Sequence, residues 1–375
     1  MRATGDEEHR RVRGVVALVV LVLVAGIAGR GATAHAIVVD GRLSSSLQTV
    51  SESPAARAYF EWGDIPAQLQ LAGVSAADPF RHYSQESPWF DTVGLGETPL
   101  YSIASGLESL PLQLNPVAAS VAVTIGGPRS FAVRLDGPGI DGFAVAAVMR
   151  RLGAKQHGSV LTAPPKLTGL TGTLLDAYGL ADDVSAGDDT LAMGKQRASV
   201  TALLGGGATL GDEPAYRAAA NCLGDVFWAV IAPPRALGIE AGPELIAIGG
   251  RRPAAATSPR VNVACAIDRG SALADRDANA LRRALGPSGF LPHRGLSTST
   301  IVAGSSVGRA DSSGLNVVRA VLTLRQDVPA AFLFDSWSNA DLEWLLATNC
   351  PKSPPGITST ELRTLCSRLH LPGGP

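Results

Sequence analysis

Residues 304–308 read Gly-Ser-Ser-Val-Gly and match the G-x-S-x-G pattern of a nucleophile elbow, the sharp strand-to-helix turn that exposes a catalytic serine. In such a site Ser306 is the nucleophile, His370 is the base and Asp335 orients the histidine, which completes the order Ser…Asp…His. The polar stretch RADSSG, however, follows the motif where an elbow requires the first helical turn. We therefore interpret the motif as the turn after a strand, and an extracytoplasmic serine hydrolase is the alternative.

Phosphate-binding and metal-binding motifs are poorly matched in this chain. The segment GDDTLAMGKQ at 187–196 has glutamine after its Gly-Lys, whereas a phosphate loop needs serine or threonine there. Neither C-x-x-C nor H-x-x-x-H occurs in the sequence, so a zinc site lacks its usual ligand spacing. We therefore expect no bound metal and no cofactor.

An aromatic-rich segment, DPFRHYSQESPWFDTVG at 78–94, has the character of a binding surface. Aromatic rings beside hydrogen-bonding groups can stack on sugars or contact apolar ligands, but they also fill cores. Packing in a core or between modules is the favoured interpretation. The alternative is a ligand or partner surface formed by five side chains, namely Arg81, His82, Tyr83, Trp89 and Phe90.

The N-terminal region predicts export across a membrane. Three arginines in HRRVRG precede an uncharged apolar run at 14–29. Basic residues before such a run stay on the cytoplasmic side, so the rest of the chain is expected outside the cytoplasm. The favoured interpretation is a single-pass helix in the cell membrane. The alternative is a secreted protein, released by signal cleavage near Ala34 or Ala36.

Four cysteines are expected to form disulfides in that oxidising compartment. Cys350 and Cys366 enclose a Pro-rich stretch and a short helix-like stretch that have little else to attach them to the body. We predict that these two residues pair, which leaves Cys222 to pair with Cys265. Two buried free thiols are the alternative.

Two segments, 123–153 and 246–286, share the same order of features and suggest an internal repeat. Each contains an apolar stretch ending in Gly-Gly, then a strand-like stretch ending in an aspartate, Asp136 or Asp268. Each continues with a helix-like stretch that ends in Arg-Arg and a glycine. The two aspartates are predicted to cap the helices that follow them.

These patterns predict an α+β fold of two tandem related modules, each an antiparallel sheet with helices on one face. The expected order is a cytoplasmic basic region (1–13), a transmembrane anchor or signal core (14–29), a stalk (30–56), an aromatic-rich first module (57–238), a second module (239–349) and a Pro-rich, disulfide-bonded tail (350–375). Within the second module, GLNVVRAVLTLRQ at 314–326 is predicted to be a helix and PAAFLFD at 329–335 a strand.

Composition excludes some classes of function. The chain has 375 residues, 46% of them hydrophobic, and a formal net charge of −1, which suits a protein with a large core. Nucleic-acid binding requires a basic face, and no basic block occurs beyond residue 13. We therefore predict a non-enzymatic, membrane-tethered extracytoplasmic protein that binds a cell-envelope ligand (lipid or glycan) or a partner protein. A serine hydrolase and a transport-associated solute-binding protein are the alternatives.

Overall fold

The computed structural model describes most of the chain after residue 41. The described ranges are 42–75, 87–101, 114–127, 130–164, 179–234, 242–286, 288–291, 296–350 and 359–369. They all belong to one compact unit, Val39–Pro375. The apolar run at 14–29, predicted to be an anchor or signal, lies outside these ranges, and within them no helix is long and apolar enough to span a membrane.

Twelve of the described strands form one antiparallel sheet. The strands before residue 200 are β1 (Phe60–Gly63), β2 (Val121–Ile125), β3 (Ala132–Asp136), β4 (Lys155–His157), β5 (Val160–Thr162), β6 (Asp183–Ala186) and β7 (Thr190–Gly194). Those after it are β8 (Val226–Ala232), β9 (Leu245–Arg251), β10 (Val261–Asp268), β11 (Phe290–Leu291), β12 (Leu296–Ser297), β13 (Val302–Ser312) and β14 (Leu315–Leu324). β11 and β12 pair only with each other.

Ten of the twelve strands are arranged symmetrically about the β8·β1 pair. The strand order runs β13-β14-β10-β9-β8-β1-β2-β3-β7-β6-β5-β4. Outward from β8·β1, β9 matches β2, β10 matches β3, β14 matches β7 and β13 matches β6, and β5 and β4 have no counterpart. The two segments that share features in the sequence therefore contribute β2-β3 and β9-β10, which occupy corresponding positions. Because β8 pairs with both β9 and β1, the sheet is continuous across the predicted module boundary at residue 238.

Helices of the described part cover both faces of this sheet, so the prediction of helices on one face was wrong. One face, which we call the α8 face, packs against α3 (Ile65–Ala72), α5 (Gly142–Arg151), α8 (Ser271–Leu285), α9 (Phe332–Ser338) and α10 (Asp341–Leu345). The other, the α7 face, packs against α1 (Arg42–Thr49), α2 (Pro54–Ala58), α6 (Arg197–Leu203) and α7 (Pro214–Leu223). The remaining helices are α4 (Thr98–Tyr101) and α11 (Ser359–Leu369).

The composition of the central strands explains why both faces are covered. All seven residues of β8, VFWAVIA, are buried, and successive side chains such as Val230 and Ile231 enter the cores on opposite faces. A strand that is apolar at every position exposes hydrophobic surface on both sides unless each side is covered. The sheet is therefore a layer between two cores.

Three further sequence predictions were wrong. The segment 42–56, assigned to a stalk, forms α1 and part of α2, and Leu43 and Leu47 are buried in the α7-face core. The predicted helix at 314–326 is β14, and the predicted strand at 329–335 contributes to α9. An apolar run of this length fits either a buried strand or a buried helix, so local sequence alone did not decide between them.

A buried arginine joins two helices of the α7 face to the sheet. Arg134 of β3 donates from Nη2 to Thr49 Oγ1 (2.7 Å) and from Nη1 to the carbonyl oxygens of Thr49 and Leu203, at the ends of α1 and α6. Its Nε donates to Asp136 at 2.9 Å. Helix C-terminal ends carry partial negative charge, so the guanidinium stabilises both. Asp136 therefore pairs with Arg134, and the residue that caps α5 is Asp141 rather than Asp136.

Candidate functional site

The G-x-S-x-G motif lies inside a strand and not at a turn. Gly304 to Gly308 all belong to β13, the outermost strand at one edge of the sheet, where Ser306 is opposite Val321 of β14. The chain then turns at Ser313 and Gly314 into β14, so no helix follows the serine. The interpretation of the motif as a turn was therefore wrong, and the geometry of a nucleophile elbow is absent from this part of the structure.

The other members of the candidate triad are not assembled around Ser306 in the described residues. Asp335 is exposed on α9, which packs on the α8 face. Val307 packs against the core on that face, so the alternating side chain of Ser306 points to the opposite face. His370 lies outside the described residues, and the only histidine inside them, His157, is on β4 at the far edge of the sheet.

The aromatic-rich segment contributes to the core. Trp89 is buried, its Nε1 donates to the carbonyl oxygen of Ala256 at 2.9 Å, and its ring meets the ring of Phe227 edge-on. Phe90 is partly buried against the same core. Arg81, His82 and Tyr83 lie outside the described residues, so a surface that includes them stays a prediction.

Two glutamates that the sequence did not indicate as special are buried in the interior. Glu61 is on β1, and Glu97 directly precedes α4. Glu61 of β1 accepts hydrogen bonds from the hydroxyls of Tyr59 and Thr98 and from the backbone N–H of Gly96. Burial raises the pKa of Glu61, and burial together with the charge of Glu61 raises the pKa of Glu97 well above its usual range. Both side chains are fully buried, so this pair is a structural feature of the interior and does not meet solvent.

A second acidic pair joins the end of β10 to α8. Asp268 and Asp277 are both fully buried, and the charge of Asp277 acts on the carboxyl group of Asp268. Desolvation, followed by the charge of Asp277, raises the pKa of Asp268 to about 7. Asp277 in turn accepts from the guanidinium of Arg276. Asp268 does not cap α8, because the N-cap residue is Gly270, so the capping prediction was wrong here too.

A cleft lies between the C-terminal ends of α8 and α11. Its volume is about 330 Å³, at the lower end of the range of ligand pockets. Ala280, Arg283 and Ala284 lie on one side, three to four residues apart on a single face of α8. Arg368 and Leu369 of α11 lie on the other. The floor and rim are completed by Leu345, Ser288, Gly289 and Phe290. We call this site the α8–α11 cleft.

Two arginines give the cleft its charge. The guanidinium carbon of Arg368 lies 3.5 Å from the centroid of the Phe290 ring, a cation–π contact that orients the side chain. Neither Arg283 nor Arg368 has an acidic partner within the described residues. Two other surface arginines are paired with acids: Arg269 binds Glu244, and Arg309 binds Asp275. The cleft thus combines an apolar wall with two positive charges that no carboxylate of the described chain neutralises.

A disulfide fastens the α11 side of the cleft. Cys350 and Cys366 are bonded, and a small core containing Trp344 and Leu362 surrounds them. The other predicted pair, Cys222–Cys265, is also bonded and joins α7 to β10. Both predicted pairings are therefore confirmed. The free-thiol alternative is wrong, since no described cysteine is unpaired.

The sequence reading missed this cleft because its residues come from three separate stretches of chain. Arg283 belongs to the Arg-Arg pair that ends a helix-like stretch, and both it and Arg368 are ordinary positive charges in a last helical turn. Known proteins offer no further guide, since no family model, curated protein or solved structure matches this chain.

Proposed function

We propose that this protein is a non-enzymatic extracytoplasmic binding protein, and that its ligand site is the α8–α11 cleft. The observation that carries the proposal is the cleft itself: an apolar wall and two guanidinium groups without acidic partners in the described chain. Two guanidinium groups facing one cleft offer paired donors to a carboxylate or phosphate, and the apolar wall offers surface that a ligand can bury. The ligand is a component of the cell envelope.

The proposed location is the cell membrane, with the N-terminus in the cytoplasm and the folded unit outside. The apolar run after three arginines supports this orientation, and two disulfides fit an oxidising compartment. Secretion after cleavage near Ala34 or Ala36 is the alternative. N-terminal sequencing of the mature protein separates the two: a chain that begins near residue 35 or 37 refutes the retained anchor.

We also propose that the fold arose from two related modules. The symmetric strand order supports this, as does a shared pattern before each central strand: α2 reads PAARA shortly before β1, and α7 begins PAYRA shortly before β8. These matches favour a module boundary between β7 and α6, near residue 196, instead of residue 238. A transport-associated solute receptor receives less support, because the two halves share one sheet.

Extraction of bound small molecules from the purified protein tests the proposed function without assuming which ligand is bound. In Ala280→Trp the indole fills the cleft; the matched control, Ala272→Trp, places the same ring on an exposed part of α8 away from it. Mass spectrometry of organic extracts should find a molecule bound to the wild type and the control but depleted in Ala280→Trp. Equal recovery from all three proteins, or none from the wild type, counts against the proposal.

The hydrolase alternative has its own test. A fluorophosphonate probe reacts covalently with an activated serine, so we expect no labelling of the folded protein. Labelling that is abolished by Ser306→Ala and retained by Ser305→Ala would refute the non-enzymatic proposal.

A further inference from the structure

We infer that the ligand of the α8–α11 cleft is an anionic amphiphile, a molecule with one phosphate-like or carboxylate head group and one apolar chain. The inference rests on the proposed function, because it assigns a ligand class to the same cleft. It is drawn from the two positive charges and the apolar lining that meet in the cleft.

The head group is indicated by Arg283 and Arg368. They come from different helices, line one cleft and carry like charges with no acidic partner among the described residues. A guanidinium binds carboxylate and phosphate oxygens through two parallel N–H donors, so two guanidinium groups suit one anionic head. An anion between them also removes their mutual repulsion.

The helix ends make these arginines indispensable. Arg283 is in the last turn of α8 and Arg368 is in the last turn of α11. The C-terminal end of a helix carries partial negative charge, which disfavours an anion. Backbone dipoles therefore contribute nothing to anion binding here, and attraction for the head group depends on the two side chains. The contact of Arg368 with Phe290 holds one of them in place before the ligand arrives.

The apolar chain is indicated by the rest of the lining. Ala280, Ala284, Leu345 and Leu369 present only carbon atoms to the cleft from their side chains, and the Phe290 ring adds an aromatic surface. A cleft of about 330 Å³ is small for a ligand pocket, so it accommodates one chain and not several. Burying that chain supplies affinity that the head group alone lacks.

Calorimetric titration of the full chain, disulfides intact and kept soluble in a lipid-free peptide scaffold, tests the inference. The probes are octyl phosphate, octanol and inorganic phosphate. We expect octyl phosphate to bind with one-to-one stoichiometry, and the other two to bind at least about tenfold more weakly. Arg283→Ala/Arg368→Ala should weaken octyl phosphate binding at least about tenfold. Arg282→Ala/Arg363→Ala removes the same charge from the same helices outside the cleft and should leave binding unchanged.

Each contrary result has a distinct meaning. If octanol binds as tightly as octyl phosphate and Ala280→Trp blocks it, the cleft is a ligand site but the anionic class is wrong. If inorganic phosphate binds as tightly as octyl phosphate, the ligand is a free anion and the amphiphile is refuted. If no probe binds, or if Ala280→Trp leaves binding unchanged, the inference fails. Recovery of a cleft-bound extract would then still support the proposed function.

Discussion

The carboxyl group of Asp268, at the end of β10, and the carboxyl group of Asp277, on α8, are both excluded from solvent, and the charge of Asp277 acts on Asp268. Two ionised carboxylates buried together repel each other, so the folded protein retains a proton on the pair. Ala280, Arg283 and Ala284, farther along the same helix, form one side of the α8–α11 cleft. The acidic pair thus lies between the sheet and the helix that carries half of the proposed site.

This pair predicts a stability that falls as pH rises. The pKa of Asp268 is about 7 in the folded protein, against 3.8 for an ordinary aspartate, so the folded state binds the extra proton between these values. Stability from this group is therefore complete below pH 3.8 and is lost as pH rises through about 7. A difference of about 3 pKa units corresponds to a loss on the order of 4 kcal/mol in the free energy of unfolding, measured by chemical denaturation across this range.

Asp268→Asn should remove the upper part of that decline, because the amide does not titrate and stays neutral at every pH. Asp91 also titrates, with a pKa raised by burial to about 6, so the variant keeps a decline below that value. The matched control is Asp275→Asn, an exposed acid on the same helix. A wild-type stability that increases between about pH 6 and pH 8, or an unchanged profile in Asp268→Asn, contradicts this account.

The buried guanidinium of Arg134 should be a large contributor to stability. Arg134→Met removes its bonds to Thr49, Leu203 and Asp136 and leaves carbonyl groups at two helix ends without a donor. We expect a cost of about 3 kcal/mol in the free energy of unfolding by urea titration. Arg282→Met, on the exposed surface of α8, should change it by less than about 0.5 kcal/mol. Equal effects of the two substitutions would refute the proposed anchoring role.

Two glycine substitutions test the close approach of β1 to the backbone at Leu95. A Cβ at Gly63 of β1 would lie 1.8 Å from the carbonyl oxygen of Leu95, so Gly63→Ala should cost at least about 3 kcal/mol in unfolding free energy. A Cβ at Gly308, on the edge strand β13, meets open space. Gly308→Ala should therefore be neutral or stabilise by up to about 1 kcal/mol. Destabilisation of the same size by both would contradict the described contact.

The Cys350–Cys366 disulfide should hold one side of the cleft in place. Cys350→Ala/Cys366→Ala opens a loop with a sequence separation of 16, and loop entropy of this size corresponds to about 3 kcal/mol. We expect faster hydrogen exchange in α11, unchanged exchange in β8, and weaker binding of octyl phosphate. Unchanged slow exchange in α11 of this variant would contradict the prediction, because packing alone would then hold the helix.

Local sequence was sufficient to predict the structure where one strong constraint, such as the pairing of cysteines, acted. The disulfide pairs followed from Pro-rich spacing and elimination. It was insufficient where tertiary burial decided the outcome. VVRAVLTL became a strand because β10 and β13 flank it, and the G-x-S-x-G became an edge strand because β14 pairs with it.

The cleft itself had no local signal. Arg283 and Arg368 are far apart in the chain, and each is individually an ordinary charge at a helix end. Only the disulfide at Cys366 and the packing of α11 bring them to one site. A sequence pattern reports periodicity and spacing, whereas this site depends on a contact between elements.

Hydrogen-exchange mass spectrometry with and without octyl phosphate tests the central claim most directly, because it locates the ligand on the chain. We predict slower exchange in the last turn of α8 and in α11, lost in Arg283→Ala/Arg368→Ala and retained in Arg282→Ala/Arg363→Ala. The exchange of β13 around Ser306 should be unchanged. Protection confined to β13, or no protection at α8 and α11 with ligand in excess, would contradict the assignment of the α8–α11 cleft as the binding site.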